Sequence, residues 1–125
     1  MNNAKEILKN AWDQREGPVV FSTADKNGVP NAVYASGVKM LDDGRIVVVD
    51  NYFTKTRANI KSGSKGVVLF ITKEKKSYQA KGNIEYLTDG PIYEDMRQWA
   101  SQKHPRIAAA VLRVEEFYSG AEKLI

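Results

Sequence analysis

The sequence predicts a mainly β domain: a six-stranded antiparallel β-barrel with helices flanking it at three joins. Three observations carry this. Short β-branched or aromatic runs recur along the chain; the first and second are joined at Asn27-Gly28 and the second and third at Asp43-Gly44; and helix-like stretches are confined to the start and two later connections. Asn-Gly and Asp-Gly supply the positive φ that tight hairpins require. Parallel pairs need much longer crossovers, so these turns imply antiparallel neighbours.

In chain order, residues 2–15 place Ala4, Ile7, Leu8, Ala11 and Trp12 at helical spacing, with Asn2 or Asn3 able to cap the start. Gly17-Pro18 ends that helix. PVVFSTA (18–24) is the first strand, residues 31–41 the second and RIVVVD (45–50) the third. Residues 54–62, TKTRANIKS, follow a capping threonine and stop at Gly63, which reads as a helix. GVVLFIT (66–72) is apolar enough to be a strand buried on both faces. Lys73-Glu74-Lys75-Lys76 reads as a solvated hairpin turn, and residues 77–87 form a longer strand in which Gly82 marks a bulge or a sharp bend. Thr88-Asp89-Gly90-Pro91 opens a helix through about Lys103, stopped by Pro105, and residues 107–117 are the last strand before a tail.

The composition narrows the chemistry. With 125 residues the chain is one domain, and its 42% hydrophobic content supports a core. It has no cysteine, which excludes disulfides, thiolate metal sites and a cysteine nucleophile. No apolar run approaches the roughly 20 residues of a membrane span, and the N-terminus lacks the pattern of a signal peptide, so a cytoplasmic location is expected. The net charge of +4 is scattered, which makes nucleic acid an unlikely partner. A single histidine, His104, cannot supply a multi-histidine metal site, and its place at a helix end favours a structural reading. Trp12 and Trp99 are expected in or against the core. No phosphate-binding glycine loop, dinucleotide fingerprint or nucleophile elbow is present.

The informative stretch is residues 46–59, IVVVDNYFTKTRAN. A buried strand ends at Asp50-Asn51, Tyr52-Phe53 form a short loop, and a helix begins near Thr54. Helix starts expose unpaired N–H groups that attract anions. Thr54, Lys55 and Thr56 add two hydroxyls and an ammonium there, but the same residues serve equally as a simple cap and a solvated lysine. The residues alone do not choose between these readings or name a cofactor.

The order of elements does more. A strand, an Asn-Gly hairpin, a strand, a glycine hairpin and then IVVVDNYFTKTRANIKSGSKGVVLFI resembles the FMN-binding split barrel of pyridoxamine 5′-phosphate oxidase-related proteins, above all its short FMN-binding members. The run Lys55-Thr56-Arg57-Ala58-Asn59 and the turn Thr88-Asp89-Gly90-Pro91 carry the likeness, which spans roughly residues 5–117. The resemblance implies FMN as cofactor, a homodimer with the flavin ring at the subunit interface, and a redox role as electron carrier or small oxidoreductase whose redox partner or substrate is unknown. It implies that Val33, Tyr34, Ala35 and Ser36 line the ring and ribityl chain, that Val49 and Asp50 run along the flavin, and that Asn51 after them is a further cofactor-binding residue. Thr54, Lys55 and Thr56 would hold the phosphate, Gln79 would stand near the ring, and residues 99–106 of a second copy would add contacts. Three departures matter. Tyr34 stands about where the oxidases carry a basic phosphate residue, Thr56 stands in place of their second basic residue after the third strand, and their substrate-phosphate residues are not recognisable, which argues against vitamin B6 oxidation. Related split barrels also hold deazaflavin or haem, so a non-enzymatic binding module for either is the alternative.

Overall fold

The computed structural model describes residues 3–125. Its elements are α1 (Asn3–Asp13), β1 (Val19–Ala24), β2 (Pro30–Ala35), β3 (Val38–Met40), β4 (Ile46–Asp50), α2 (Lys55–Lys61), β5 (Gly66–Ile71), β6 (Ser77–Leu87), α3 (Pro91–Trp99), β7 (Ala108–Ser119) and β8 (Glu122–Lys123). The expected cap at Asn2 lies outside the described residues. All strand pairs are antiparallel, in the order β2-β1-β5-β6-β7-β4-β3, with β8 on β7.

The mainly β barrel architecture is as expected, but the described residues hold eight strands rather than six. One addition is the two-residue β8, where a tail was expected. The other comes from the break of the second expected strand at Ser36-Gly37. There the chain changes partner: β2 pairs with β1, while β3 pairs with β4 at the far end of the sheet. Because the two ends of the sheet are joined by only two residues, the sheet must curl around its own core. Gly37 sits at the switch. Its carbonyl accepts the Val49 N–H at 2.8 Å, and a Cβ on it would lie 3.1 Å from Val49 Cγ2.

The hairpin turns form as their residues dictate. Gly28 has φ +81° and Gly44 φ +93°, and the Asp25 carboxylate accepts the Asn27 and Val29 N–H groups. Gly82 does mark a bulge. Lys81 faces Glu116 but Gly82 faces Val114, so Glu115 is the extra residue on β7.

Inside the curl lies one core, with Trp12 from α1, Phe21 from β1, Val48 from β4, Phe70 from β5 and Phe117 from β7. Tyr78 stacks between Phe70 and Phe117, at 5.6 Å and 5.5 Å. A second core, Val47, Val49, Ala109 and Val111, lies on the outer face of β4 and β7 beneath Met96 of α3. That is why β4 reads as an unbroken apolar run: alternate residues feed two cores. The same inference fails for β5, which was expected to be buried on both faces. Its outward residues Leu69 and Ile71 are exposed. Two helix details also differ. Thr54 occupies the N-cap position of α2 without a side-chain capping bond. α3 ends at Trp99 rather than Lys103, because Ala100 turns to extended backbone and is buried in the outer core.

Candidate functional site

A cleft of about 680 Å³ opens where the sheet changes partner. One wall is the end of β2 with the switch, Val33, Tyr34, Ala35, Ser36 and Gly37, continued by Val38, Val49 and the loop Asn51-Tyr52-Phe53; the other is Trp99, Ala100, Ser101 and His104. The lining carries aromatic rings and neutral polar groups and, among the described residues, no Lys, Arg, Asp or Glu. Trp99 lines the cleft, and its buried Nε1–H has no hydrogen-bond partner among the described residues. An orphaned donor of that kind costs about 1–3 kcal/mol.

Two residues at the end of β4 set the walls. Asn51 Oδ1 accepts the Arg106 N–H at 2.9 Å, and the Asp50 carbonyl accepts the Ile107 N–H at 2.8 Å, so the segment between α3 and β7 is tied to the end of β4. Arg106 is held there at φ +50°, with its Nη1 on the Arg97 carbonyl at 2.8 Å. Tyr52 and His104 then meet across the cleft mouth. The Tyr52 hydroxyl lies 3.1 Å from His104 Nδ1, with the rings edge to face at 5.7 Å.

Asp50 does not run along the cleft, contrary to expectation. It is fully buried. Its carboxylate takes Arg57 Nε at 2.7 Å and Nη2 at 3.0 Å, the Tyr86 hydroxyl at 2.5 Å and the Phe53 N–H at 3.0 Å. This network pins the loop, α2 and β6 to one another. Hydrogen bonding to Asp50 raises the Arg57 guanidinium above its usual range. Burial, then the bond to Asp50, pushes the Tyr86 hydroxyl up to about 12. The neutral phenol is thus the form the fold prefers. Its contribution is complete below the unfolded value of about 10 and is lost as pH rises through about 12. Urea midpoints measured from pH 8 to 12 should therefore fall more steeply for the natural chain than for Tyr86→Phe; parallel curves would refute the assignment.

The remaining expected site residues divide. Val33, Tyr34, Ala35, Ser36, Val49 and Asn51 line the cleft together. Thr54 and Lys55 stand exposed directly after its Phe53 wall. Thr56 departs from the expectation, since it is turned inward and buried, with its hydroxyl accepting from Asn31 Nδ2 at 3.0 Å. Gln79 neighbours buried Ala80 on β6, faces the opposite way, and lines no part of the cleft. The sequence reading missed the wall at Ala100, Ser101 and His104 as part of the same chain's cleft. The resemblance implies residues 99–106 at the flavin, but as a second copy's contribution.

A family model for pyridoxamine 5′-phosphate oxidase matches residues 5–119. An uncharacterized protein of Methanocaldococcus jannaschii is 30% identical over 110 residues, covering 83% of this chain and 74% of that one. Among solved structures, an FMN-binding protein from Syntrophomonas wolfei superposes with a TM-score of 0.78 at 21% identity, over 93% of this chain and 85% of the other. HupZ of Group A Streptococcus gives 0.73 at 24% identity, over 95% and 92%. At these identities the structural matches establish the fold.

Proposed function

Given that the chain belongs to the pyridoxamine 5′-phosphate oxidase family, we propose that it is an FMN-binding redox protein, an electron carrier or small oxidoreductase, whose cleft takes the flavin ring. The observation that carries this reading is the cleft itself. Its volume, its aromatic walls and its neutral polar lining suit a flat, hydrogen-bonding ring. The flavin supplies the redox chemistry when bound, and the protein's part is to bind, orient and shield it.

The phosphate belongs beside the cleft, at Thr54 and Lys55. Thr54 has a hydroxyl not used for capping, and Lys55 is the first cation beyond Phe53. Thr56 acts behind them, bracing β2 through Asn31. Asp50 likewise shapes the loop without touching the ring. Tyr34, 79% exposed, and Tyr52, 68% exposed, flank the open side. Large aromatic groups left in water at a cleft mouth favour coverage by a second copy, so the functional unit is proposed to be a homodimer.

Purified protein should carry, or take up, a yellow chromophore with a flavin spectrum, which also distinguishes it from deazaflavin and haem. FMN at about 100 times its Kd should add about 2.7 kcal/mol of stability. Lys55→Ala should weaken FMN by about 10- to 100-fold, the worth of a charge-assisted contact, and leave riboflavin, which has no phosphate, unchanged. A colourless protein that gains no stability from FMN would refute the cofactor. Equal losses for FMN and riboflavin would refute the phosphate site.

A further inference from the structure

We propose that His104, oriented by Tyr52, is the residue that exchanges a proton with the molecule held in the cleft. The inference rests on the flavin reading for the ligand, and goes beyond it in assigning chemistry to a side chain. Three observations converge. His104 lines the cleft, and among the described lining residues it is the one side chain that ordinarily titrates near neutral pH; the other ionisable groups are the phenols of Tyr34 and Tyr52. Its Nδ1 is engaged by the Tyr52 hydroxyl at 3.1 Å, which leaves Nε2 as the ring's other proton-carrying position. The ring is also exposed, so it can be recharged from solvent.

The charged surroundings are sparse. Tyr52 is the ring that contacts His104 from the opposite wall. Lys103 and Arg106 flank it along the chain, and Arg106 is turned away onto the Arg97 carbonyl. No carboxylate lines the cleft to fix the imidazole in its charged form. The step is simple to balance. A flavin held there would supply the redox chemistry, and an electron pair from an external reductant would add negative charge beside the imidazole. The Nε2–H bond of the imidazolium would break toward that charge and re-form reversibly, the bonding pair staying on nitrogen while the proton is away, with the equilibrium on the imidazolium side. Tyr52 is a positioning residue: its hydroxyl sets which nitrogen faces the ligand.

Because the chain has a single histidine, its imidazole Cε1–H resonance can be followed without ambiguity. The titration midpoint should be measured between pH 5 and 9 in the free protein, with oxidised FMN, and with FMN reduced by dithionite under anaerobic conditions. Added negative charge nearby favours the imidazolium, so reduction should raise the midpoint by about one pH unit relative to the oxidised complex. Tyr52→Phe should shift the midpoint in the free protein. His104→Gln should remove the inflection that the natural chain shows when the potential of bound flavin is plotted against pH. Flavin fluorescence reports retention separately. Loss of FMN binding altogether would overturn both the flavin reading and this one. Retained FMN with coincident midpoints in the two redox states would overturn the role of His104 alone.

Discussion

Gly82→Ala is expected to cost more than about 4 kcal/mol, enough to remove most or all of the soluble folded protein. The conflict is with backbone, which cannot rotate away. A Cβ on residue 82 would sit 1.7 Å from the Arg113 carbonyl oxygen, 2.9 Å from its carbon and 3.2 Å from the Glu115 nitrogen. Residue 82 also lies where β6 and β7, the two longest strands, shift register by one residue. Relieving the clash would separate the central pair of the sheet or undo the bulge that bends it. A control is available on the other side of the same bulge. The Glu115 side chain lies at the surface, with contacts to Lys65 at 3.2 Å and Asn83 at 3.2 Å. Glu115→Ala should therefore cost under about 1 kcal/mol. Denaturation of both variants decides the matter. A folded Gly82→Ala protein within about 1 kcal/mol of its parent, the range of surface changes, would mean that the bulge does not require glycine.

Arg57→Met is expected to cost about 3–5 kcal/mol, a large share of the roughly 5–15 kcal/mol that stabilises an ordinary domain. The side chains differ sharply in exposure: Arg57 is 30% exposed, whereas Asp50 is 0% exposed. Losing the guanidinium leaves a buried carboxylate supported only by the neutral Tyr86 hydroxyl and Phe53 N–H. Lysine should rescue poorly, because it cannot reproduce the two-pronged contact through Nε and Nη2. Removing both charges, as in Asp50→Asn with Arg57→Met, should recover a substantial part of the loss, since an ion pair replaced as a unit leaves no uncompensated charge. A urea series on the two single variants and the double variant gives the coupling directly. Additive losses, or an Arg57→Met cost below about 1 kcal/mol, typical of surface pairs, would show that the carboxylate is well solvated without its partner.

These two positions also show how far the sequence could be read. Gly82 was legible as a bulge, because an isolated glycine inside a long strand has few other uses. Asp50 was not legible. It follows four apolar residues and precedes a loop, a position that suits a ligand contact as well as a structural one. Tyr86, the partner that decides between them, lies 36 residues away. Thr56 misled for the same reason: its hydroxyl belongs to an Asn31 contact 25 residues distant. Gln79 required knowing which face of β6 meets the core, and the bulge at Gly82 blurs the alternation that would have told it.

What the sequence determined by itself is local. Turn chemistry set the two hairpins, apolar runs set the strands, and their order set an antiparallel barrel, since each depends on residues within a few positions of one another. The tertiary structure decided where the sheet splits, how Ser36-Gly37 brings β2 and β3 into one cleft wall, and that His104 faces Tyr52 across it. Those outcomes depend on contacts between segments far apart in the chain, where the free energy comes from shared burial and paired polar groups rather than from any residue's own preference.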